Sequence, residues 1–280
     1  MKKVTITKSA GFCFGVKRAL QLAGQTASKY KKVYMLGDIV HNPRVVQDIK
    51  KAGIIKIDSL RKQHKGILLI RAHGAARQVY NQAAEFGYKI VDATCPMVKE
   101  IHSIARQYED KKYSIIIIGE KTHDEVIGIK GNLNTKPLII SKKTEITSKK
   151  FSRIKKAAIV VQSTQNLEKV MLMVDKIEKH IKNVIFCNTI CHPTRLKQKE
   201  IQSFPKTQDV MIIIGAKNSA NTKRLYELSK SINPNTYLVN SKNELRKKWF
   251  KNKEKIGIGA GASTPEYIIK EISSYIRQLD

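Results

Sequence analysis

The chain has 280 residues, of which 41% are hydrophobic and 27% are charged. This balance is typical of a globular protein with enough chain to bury a core, and it excludes disorder as the default. No apolar run approaches the roughly 20 residues that cross a bilayer, and residues 4–8 lack the apolar segment of a signal peptide. We therefore expect a cytoplasmic protein with no membrane contact.

The formal net charge is +30, from 53 basic and 23 acidic residues. Such a charge suggests an anionic partner. However, 42 of the basic residues are lysines spread along the whole chain, which is typical of a solvated surface rather than of a phosphate-binding arginine cluster. There is no nucleic-acid recognition motif, so binding to nucleic acid or a ribosome is the weaker alternative to binding a small anionic substrate.

Short β-branched segments alternate with helical patterns, which predicts an α/β fold with mainly parallel sheets and crossover helices. Nine strands are predicted, at residues 3–6, 32–36, 67–70, 89–91, 114–118, 157–161, 183–186, 210–214 and 255–258. Helices are expected to begin at Pro43, Pro96 and Pro265, because proline fits the first helical turn.

Cysteine recurs just after three of these predicted strands, as Cys13, Cys95 and Cys191. A polar residue follows each cysteine after 28 residues, namely His41, His123 and Ser219. A further polar group follows the next predicted strand in each case: His73, then Ser163 with Thr164, then Ser263. This order predicts three similar αβ lobes, at residues 14–95, 96–191 and 192–280, with residues 1–13 leading into a shared central site at the carboxyl ends of the strands.

Three converging thiolates indicate a soft metal. The three cysteines lie 82 and 96 residues apart, whereas structural zinc sites use four closed ligands and local pairs. An iron–sulfur cluster fits better, and three cysteine ligands to a cubane cluster leave one iron open to substrate. Cys187 is the competing fourth ligand, but it has no counterpart in the other repeats and is interpreted as a core residue. A zinc-stapled binding protein remains the alternative.

The histidines divide into two groups. His41, His73 and His123 follow predicted strands beside helix starts, where imidazole can bind phosphate oxygens or relay protons. A turn or capping role is the alternative for each. Three others, His64, His102 and His180, are expected to be solvated or packing residues, and His192 is assigned to neither group.

Glu125, two residues after His123, is the carboxylate that we expect to donate protons. Its alternative role is to stabilise the first turn of a helix. The competing carboxylates are Asp38, Asp92 and Asp124. Hydroxyl and amide groups at residues 163–164, 218–221 and 262–264 are further donors, with N-capping as the alternative. No Walker A motif is present, so neutral donors and histidines favour a small diphosphate over a nucleotide.

Nine short motifs occur in order along nearly the whole chain. They are GFCFGV (11–16), VHN (40–42), AHG (72–74), DATCP (92–96), HDEV (123–126), QSTQ (162–165), NTIC (188–191), KNSAN (217–221) and AGASTP (260–265). Together these motifs resemble those of the 4-hydroxy-3-methylbut-2-enyl diphosphate reductases of the non-mevalonate isoprenoid pathway. The resemblance implies a pseudo-threefold trefoil of three αβ lobes around one [4Fe–4S] cluster per chain, held by Cys13, Cys95 and Cys191.

The same resemblance implies a reaction and a set of roles. Glu125 would supply protons, assisted by the hydroxyls of Ser163 and Thr164. The implied substrate-binding residues are His41, His73, His123, Ser163, Thr164, Ser219, Ala220, Asn221 and Ser263. Two electrons from a ferredoxin or flavodoxin-type donor and two protons would expel the substrate hydroxyl as water, giving isopentenyl or dimethylallyl diphosphate.

The chain departs from the family pattern at a few positions. Asp124 replaces a usual proline, which is expected to loosen the loop that carries Glu125 and to place a second negative charge beside it. Ala220 stands where a second serine is common, and Ser163 replaces a threonine but keeps the hydroxyl. Residues 192–198 also differ from the usual pattern. None of these changes removes an expected ligand or the proton donor.

Overall fold

The computed structural model describes residues 2–62 and 66–279. His64 lies outside these ranges. Within them, twelve strands form three four-stranded sheets in which every pair of neighbouring strands is parallel. The predicted α/β class with parallel sheets is therefore confirmed.

The first sheet has the strand order β3-β2-β4-β5. Its strands are β2 (Val33–Leu36), β3 (Ile54–Ile57), β4 (Ile67–Ile70) and β5 (Lys89–Asp92). The helices that precede or connect them are α1 (Phe14–Lys29), α2 (Pro43–Lys51) and α3 (Arg77–Glu85). All four residues of β4 are buried, as expected for an inner strand of a parallel sheet that is covered on both faces.

The second sheet repeats this arrangement with the order β7-β6-β8-β9. Its strands are β6 (Ser114–Ile118), β7 (Leu138–Ile140), β8 (Lys156–Val161) and β9 (Asn183–Phe186). The accompanying helices are α4 (Pro96–Asp110), α5 (Asp124–Lys130), α6 (Ser148–Phe151) and α7 (Leu167–Glu178). Alternate residues of β6 belong to different apolar clusters, with Ile116 and Ile118 in one and Ile115 and Ile117 in the other, so the sheet has a core on each face.

The third sheet takes its fourth strand from the start of the chain. Its order is β11-β10-β12-β1, and the parallel pairing of β1 with β12 sets Lys3 beside Lys255. Its strands are β1 (Lys3–Ile6), β10 (Val210–Ile214), β11 (Thr236–Val239) and β12 (Lys255–Ala260). The accompanying helices are α8 (His192–Ser203), α9 (Ala220–Ile232) and α10 (Glu266–Arg277).

The three sheets therefore share one topology. In the first two sheets the chain forms an inner strand, then an edge strand, then the second inner strand, and last the opposite edge strand. In the third sheet β10, β11 and β12 follow the same order, and the opposite edge position is taken by β1 from the start of the chain. The predicted threefold repeat of an αβ unit is confirmed at the level of strand order. Two of the expected proline starts are also confirmed, at α2 and α4, whereas Pro265 is the N-cap of α10 rather than its first residue.

Three strands, β3, β7 and β11, were not predicted from the sequence, and all three are edge strands beside the first inner strand of their sheet. They are only three or four residues long, and each includes residues that are not fully buried. Length and edge position do not explain these misses, because the edge strands β1, β5 and β9 are equally short and no more buried, yet were predicted.

The described chain forms two compact units. One comprises residues up to 17, residues 40–48 and residues from 192 onward, and it contains the third sheet. The other comprises residues 18–39 and 49–191, and it contains the first two sheets. The lobe boundaries at 95/96 and 191/192 stay a prediction. Among the described helices, none has the length and hydropathy needed to cross a bilayer.

Candidate active site

The cysteines of the predicted metal site occupy equivalent loops. Cys13, Cys95 and Cys191 follow β1, β5 and β9, the last strand of each sheet topology. Each is half-buried, and none of the four cysteines, all of which are described, forms a disulfide. Cys95 is the N-cap of α4, whose first residue is Pro96. A helix N-terminus stabilises negative charge, which favours the thiolate form that a metal needs.

The residues 28 positions beyond these cysteines are also equivalent. Each follows the first inner strand of its sheet and precedes a helix. His123 and Ser219 come directly before α5 and α9, and His41 lies two residues before α2. His123 and Ser219 are N-caps, accepting backbone N–H groups from Glu125 and Thr222 at 3.2 and 3.4 Å. Both side chains therefore have the N-capping role that was the alternative to substrate binding. Each also lies at the carboxyl end of the strands of its sheet.

The third predicted group follows the second inner strand of each sheet. His73 follows β4, Ser163 and Thr164 follow β8, and Ser263 follows β12. Because parallel strands end at one edge of a sheet, these residues lie at the carboxyl-terminal edge of their own sheet, the edge at which open parallel sheets generally bind ligands. This placement follows from the strand topology of each sheet taken separately.

Glu125 and Ser163, two of the predicted site residues, are in direct contact. Glu125 is buried in the first turn of α5, with 2% of its surface exposed. Its Oε1 accepts the backbone N–H of Ser163 at 2.5 Å and its Oε2 accepts the Ser163 hydroxyl at 2.7 Å. The carbonyl of Ser163 in turn accepts the backbone N–H of Cys191 at 3.0 Å. One residue therefore links the expected proton donor to the loop of an expected metal ligand.

The two predicted histidines of this unit lie side by side. The rings of His73 and His123 are 5.5 Å apart between centroids and nearly perpendicular. Nδ1 of His123 accepts the backbone N–H of Glu125, so the neutral ring carries its proton on Nε2. Two adjacent imidazoles at a helix N-terminus form a set of donors suited to phosphate oxygens.

The third sheet contributes buried polar groups that the described chain leaves unsatisfied. Asn221 and Ser263 are 5% and 7% exposed, and within residues 2–62 and 66–279 neither the Asn221 amide nor the Ser263 hydroxyl has a hydrogen-bond partner. Buried polar groups are normally paired, so these atoms point to a ligand. Gly261 is required nearby, because a Cβ there would collide with the Thr222 hydroxyl.

Asp124 forms an ion pair with Arg71. Its carboxylate lies 2.7 Å from the guanidinium of Arg71, and both side chains are largely buried. The expected negative charge beside Glu125 is present, but it is paired with Arg71 of the loop after β4, which connects that loop to the start of α5. The expected effect on the loop that carries Glu125 stays a prediction. The sequence carries no signal for this pair, whose members are 53 residues apart.

The loop that leads to Cys95 is ordered by a carboxylate. Asp92 accepts the backbone N–H of Thr94 at 2.9 Å and the Thr94 hydroxyl at 2.5 Å, and Lys99 lies 2.6 Å away. Burial raises the pKa of Asp92, but the hydrogen bonds from Lys99 and Thr94 outweigh it and hold this pKa below its usual value. The ionised side chain therefore fixes the turn that presents Cys95.

Cys187 is placed differently from the other three cysteines. It packs against the apolar cluster around β6 and α5, and burial raises the pKa of its thiol despite a hydrogen bond with Tyr108. This favours the neutral thiol of a core residue over a metal-binding thiolate.

Two further polar residues lie inside the sequence motifs but were not among the predicted site residues. Asn42, next to His41, is buried and donates to the carbonyl of Ser263 at 2.7 Å. Gln162 is fully buried and donates to the Thr164 hydroxyl at 3.2 Å. Both side chains hold predicted site residues in place, and their location within VHN and QSTQ was the available signal.

Comparison with known proteins identifies the family. A model of the LytB protein family matches residues 4–277. The 4-hydroxy-3-methylbut-2-enyl diphosphate reductase of Aquifex aeolicus is 40% identical to this chain over 284 residues, which cover 100% of this chain and 97% of that protein. A reductase of the same name from Clostridioides difficile is 36% identical, and the match covers 99% of each chain.

Solved structures agree with these matches. A structure of (E)-4-hydroxy-3-methyl-but-2-enyl diphosphate reductase, described as the terminal enzyme of the non-mevalonate pathway, aligns with a TM-score of 0.73 at 40% identity, covering 99% of this chain and 100% of that chain. The corresponding reductase from Plasmodium falciparum aligns with a TM-score of 0.90 at 28% identity, covering 99% of this chain and 87% of that chain. The chain belongs to the LytB protein family, and the resemblance seen in its motifs is confirmed.

Proposed function

We propose that this chain catalyses the reductive dehydroxylation of 4-hydroxy-3-methylbut-2-enyl diphosphate to isopentenyl and dimethylallyl diphosphate, the last step of the non-mevalonate pathway. The family and the names of its relatives support this reaction. The observation that carries it in this chain is the buried carboxyl of Glu125, held at both oxygens by Ser163, whose carbonyl binds the loop of Cys191.

Glu125 is the proposed proton donor. A proton on Oε2 would be shared with Ser163 Oγ at 2.7 Å, so the hydroxyl can pass a proton onward and be reprotonated by the carboxyl. Thr164, whose hydroxyl is held by Gln162, is the proposed second hydroxyl of this relay. Burial of Glu125 keeps bulk water from supplying protons indiscriminately.

The diphosphate is proposed to bind the histidines and the unsatisfied polar groups. His73 and His123 are proposed to supply ring N–H donors, and Ser219, Asn221 and Ser263 are proposed to supply hydroxyl and amide groups. His41 belongs to the same proposed set, since its neighbour Asn42 is tied to the backbone of Ser263. Ala220 contributes only its position in the first turn of α9, because it has no polar side-chain atom.

The proposed cofactor is one [4Fe–4S] cluster held by Cys13, Cys95 and Cys191. The residues fit this group, because three half-buried thiols lie on equivalent loops and one of them caps a helix N-terminus that favours thiolate. When bound, a cluster with three thiolate ligands supplies electrons and one open iron that polarises a hydroxyl leaving group. A ferredoxin or flavodoxin-type protein is the proposed electron donor, and the cytoplasmic location stays a prediction.

The test is a measurement of iron and acid-labile sulfide per chain after anaerobic purification, for the wild-type chain and for serine substitutions at each cysteine. We expect about four of each, lost in C13S, C95S and C191S but retained in C187S, and reductase activity in the proteins that retain them. Zinc in place of iron, or equal dependence on all four cysteines, contradicts the proposal and favours a zinc-stapled protein. Salt-sensitive retention on nucleic acid without iron indicates the nucleic-acid alternative.

A further inference from the structure

Helix α8, which begins one residue after Cys191, turns an unusually polar face inward. Its buried residues are Thr194, Lys197, Gln198 and Ile201, the spacing of one helical face. Only one of these four is apolar. An inward helical face normally packs apolar side chains, so polar residues there must be matched by specific partners.

Lys197 has such partners. It is 3% exposed, and its ammonium donates to the carbonyl of Ser9, to that of Gly11 at 2.9 Å and to that of Ala260 at 3.4 Å. Burying an ammonium is costly unless its donors are satisfied, and here three carbonyls surround it. Lys197 therefore ties the segment before Cys13 to the end of β12.

Glu200, one turn further along α8, binds backbone N–H groups of the same segment. Its two carboxylate oxygens accept the backbone N–H groups of Lys8 and Ser9, each at 2.9 Å, and the Ser9 hydroxyl also donates to it. The ammonium of Lys197 thus binds backbone carbonyls of residues 8–11, and the carboxylate of Glu200 binds backbone N–H groups of the same segment.

The fixed segment leads directly to Cys13. Gly11 has φ of +91°, a conformation that favours glycine, and the backbone N–H of Cys13 donates to the carbonyl of Ala262 at 3.2 Å. Ala260, the third partner of Lys197, lies two residues before Ala262. The ammonium of Lys197 therefore contacts both strand-end loops whose approach sets the position of Cys13.

We propose that Lys197 and Glu200 are positioning residues that hold the loop of Cys13 in a conformation competent to ligate the metal cluster. The inference rests on the proposed function, in which Cys13 is one of three ligands. Neither residue contacts substrate or reacting atoms in this proposal. Their role is to place a thiol before the cluster binds, which avoids an ordering cost at the moment of binding.

The test compares K197M and E200Q with K199M, a matched control at an exposed position of the same helix. Each protein is reconstituted anaerobically, and the rate of iron release to a chelator is followed by the cluster absorption. Loss of hydrogen bonds to a charged group predicts release at least about tenfold faster in K197M and E200Q, with K199M unchanged. K197R, which keeps the charge and the donors, should release iron more slowly than K197M.

A second readout separates positioning from general destabilisation. In the metal-free proteins, alkylation of each cysteine is quantified by mass spectrometry. We expect a faster reaction at Cys13 in K197M and E200Q, with Cys95 and Cys191 reacting as in the wild-type chain. A parallel increase at all three cysteines, or iron release at the wild-type rate in both variants, overturns the inference. If K197M does not fold, E200Q decides. A wild-type chain that binds no iron instead contradicts the proposed function.

Discussion

The carboxyl group of Glu125 is held at both oxygens by one residue, Ser163, which is 38 positions away in the sequence. Glu125 lies in the first turn of α5, whereas Ser163 belongs to the loop after β8. Because β6 and β8 are adjacent parallel strands, their following loops meet at one edge of the second sheet. The orientation of the carboxyl is therefore set by a neighbouring loop, independently of the helix that carries it.

The variant E125Q separates the position of this side chain from its proton. Glutamine keeps the shape and one acceptor oxygen but holds no transferable acid proton. We expect kcat to fall by about 10²- to 10⁴-fold, while iron per chain stays at the wild-type value. Steady-state reduction assays with a chemical electron donor and iron analysis check both. S163T, which keeps the hydroxyl, is the control and should stay active. Wild-type turnover in E125Q contradicts the assigned role.

The ion pair between Arg71 and Asp124 should stabilise the start of α5. Both side chains keep about a fifth of their surface exposed, so solvent screens the pair, and we expect a coupling energy of about 0.5–1 kcal/mol. R71A, D124N and the double variant form a double-mutant cycle, measured by urea unfolding. Non-additive losses in the free energy of unfolding support the pair. Strictly additive losses show that the contact contributes nothing.

Removing a hydroxyl that has no partner should not cost stability. Within the described residues, Ser263 Oγ is buried and unsatisfied, so S263A removes a desolvation penalty of about 1–3 kcal/mol instead of a hydrogen bond. We expect unfolding of the ligand-free S263A protein at or above the wild-type temperature, together with a smaller stabilisation by added inorganic diphosphate.

The control for this experiment is S229A. The Ser229 hydroxyl is also buried but lies 3.0 Å from the hydroxyl of Thr236. Its removal should lower the free energy of unfolding by about 1 kcal/mol and leave the diphosphate effect unchanged. Equal destabilisation of the two variants, with equal diphosphate effects, contradicts a binding role for Ser263.

The sequence predicted those features that depend on local pattern. The nine recognised strands include every inner strand, since continuous burial produces continuous apolar runs such as those in β6 and β10. The repeat could be found because the cysteines and their partners each follow a strand directly. The contacts of Glu125 with Ser163 and of Arg71 with Asp124 could not be predicted, because they join residues that are distant in the sequence. Lys197 was missed because a lysine within a helical pattern ordinarily indicates an exposed face.

Stability at acid pH should depend on His102. Its side chain is 7% exposed on α4, and burial, with a smaller contribution from the nearby charge of Arg106, lowers its pKa from 6.5 to about 4. The neutral ring packs against Gly74 and Gly128, where a Cβ would contact it at 3.2 and 3.5 Å. Of the two roles expected for His102, solvated or packing, the structure shows packing.

The lowered pKa fixes the sign of the effect. Between pH 6.5 and 4 the unfolded chain binds a proton at His102 that the folded chain does not. The free energy of unfolding therefore decreases as the pH falls through this range. The loss amounts to about 3 kcal/mol. In H102Q this component of the pH dependence should disappear, whereas H192Q, at an exposed position, should keep it. Urea unfolding at pH 4.5, 5.5, 6.5 and 7.5 measures the slope, and identical slopes for H102Q and the wild-type chain would show that His102 is not protonated on unfolding.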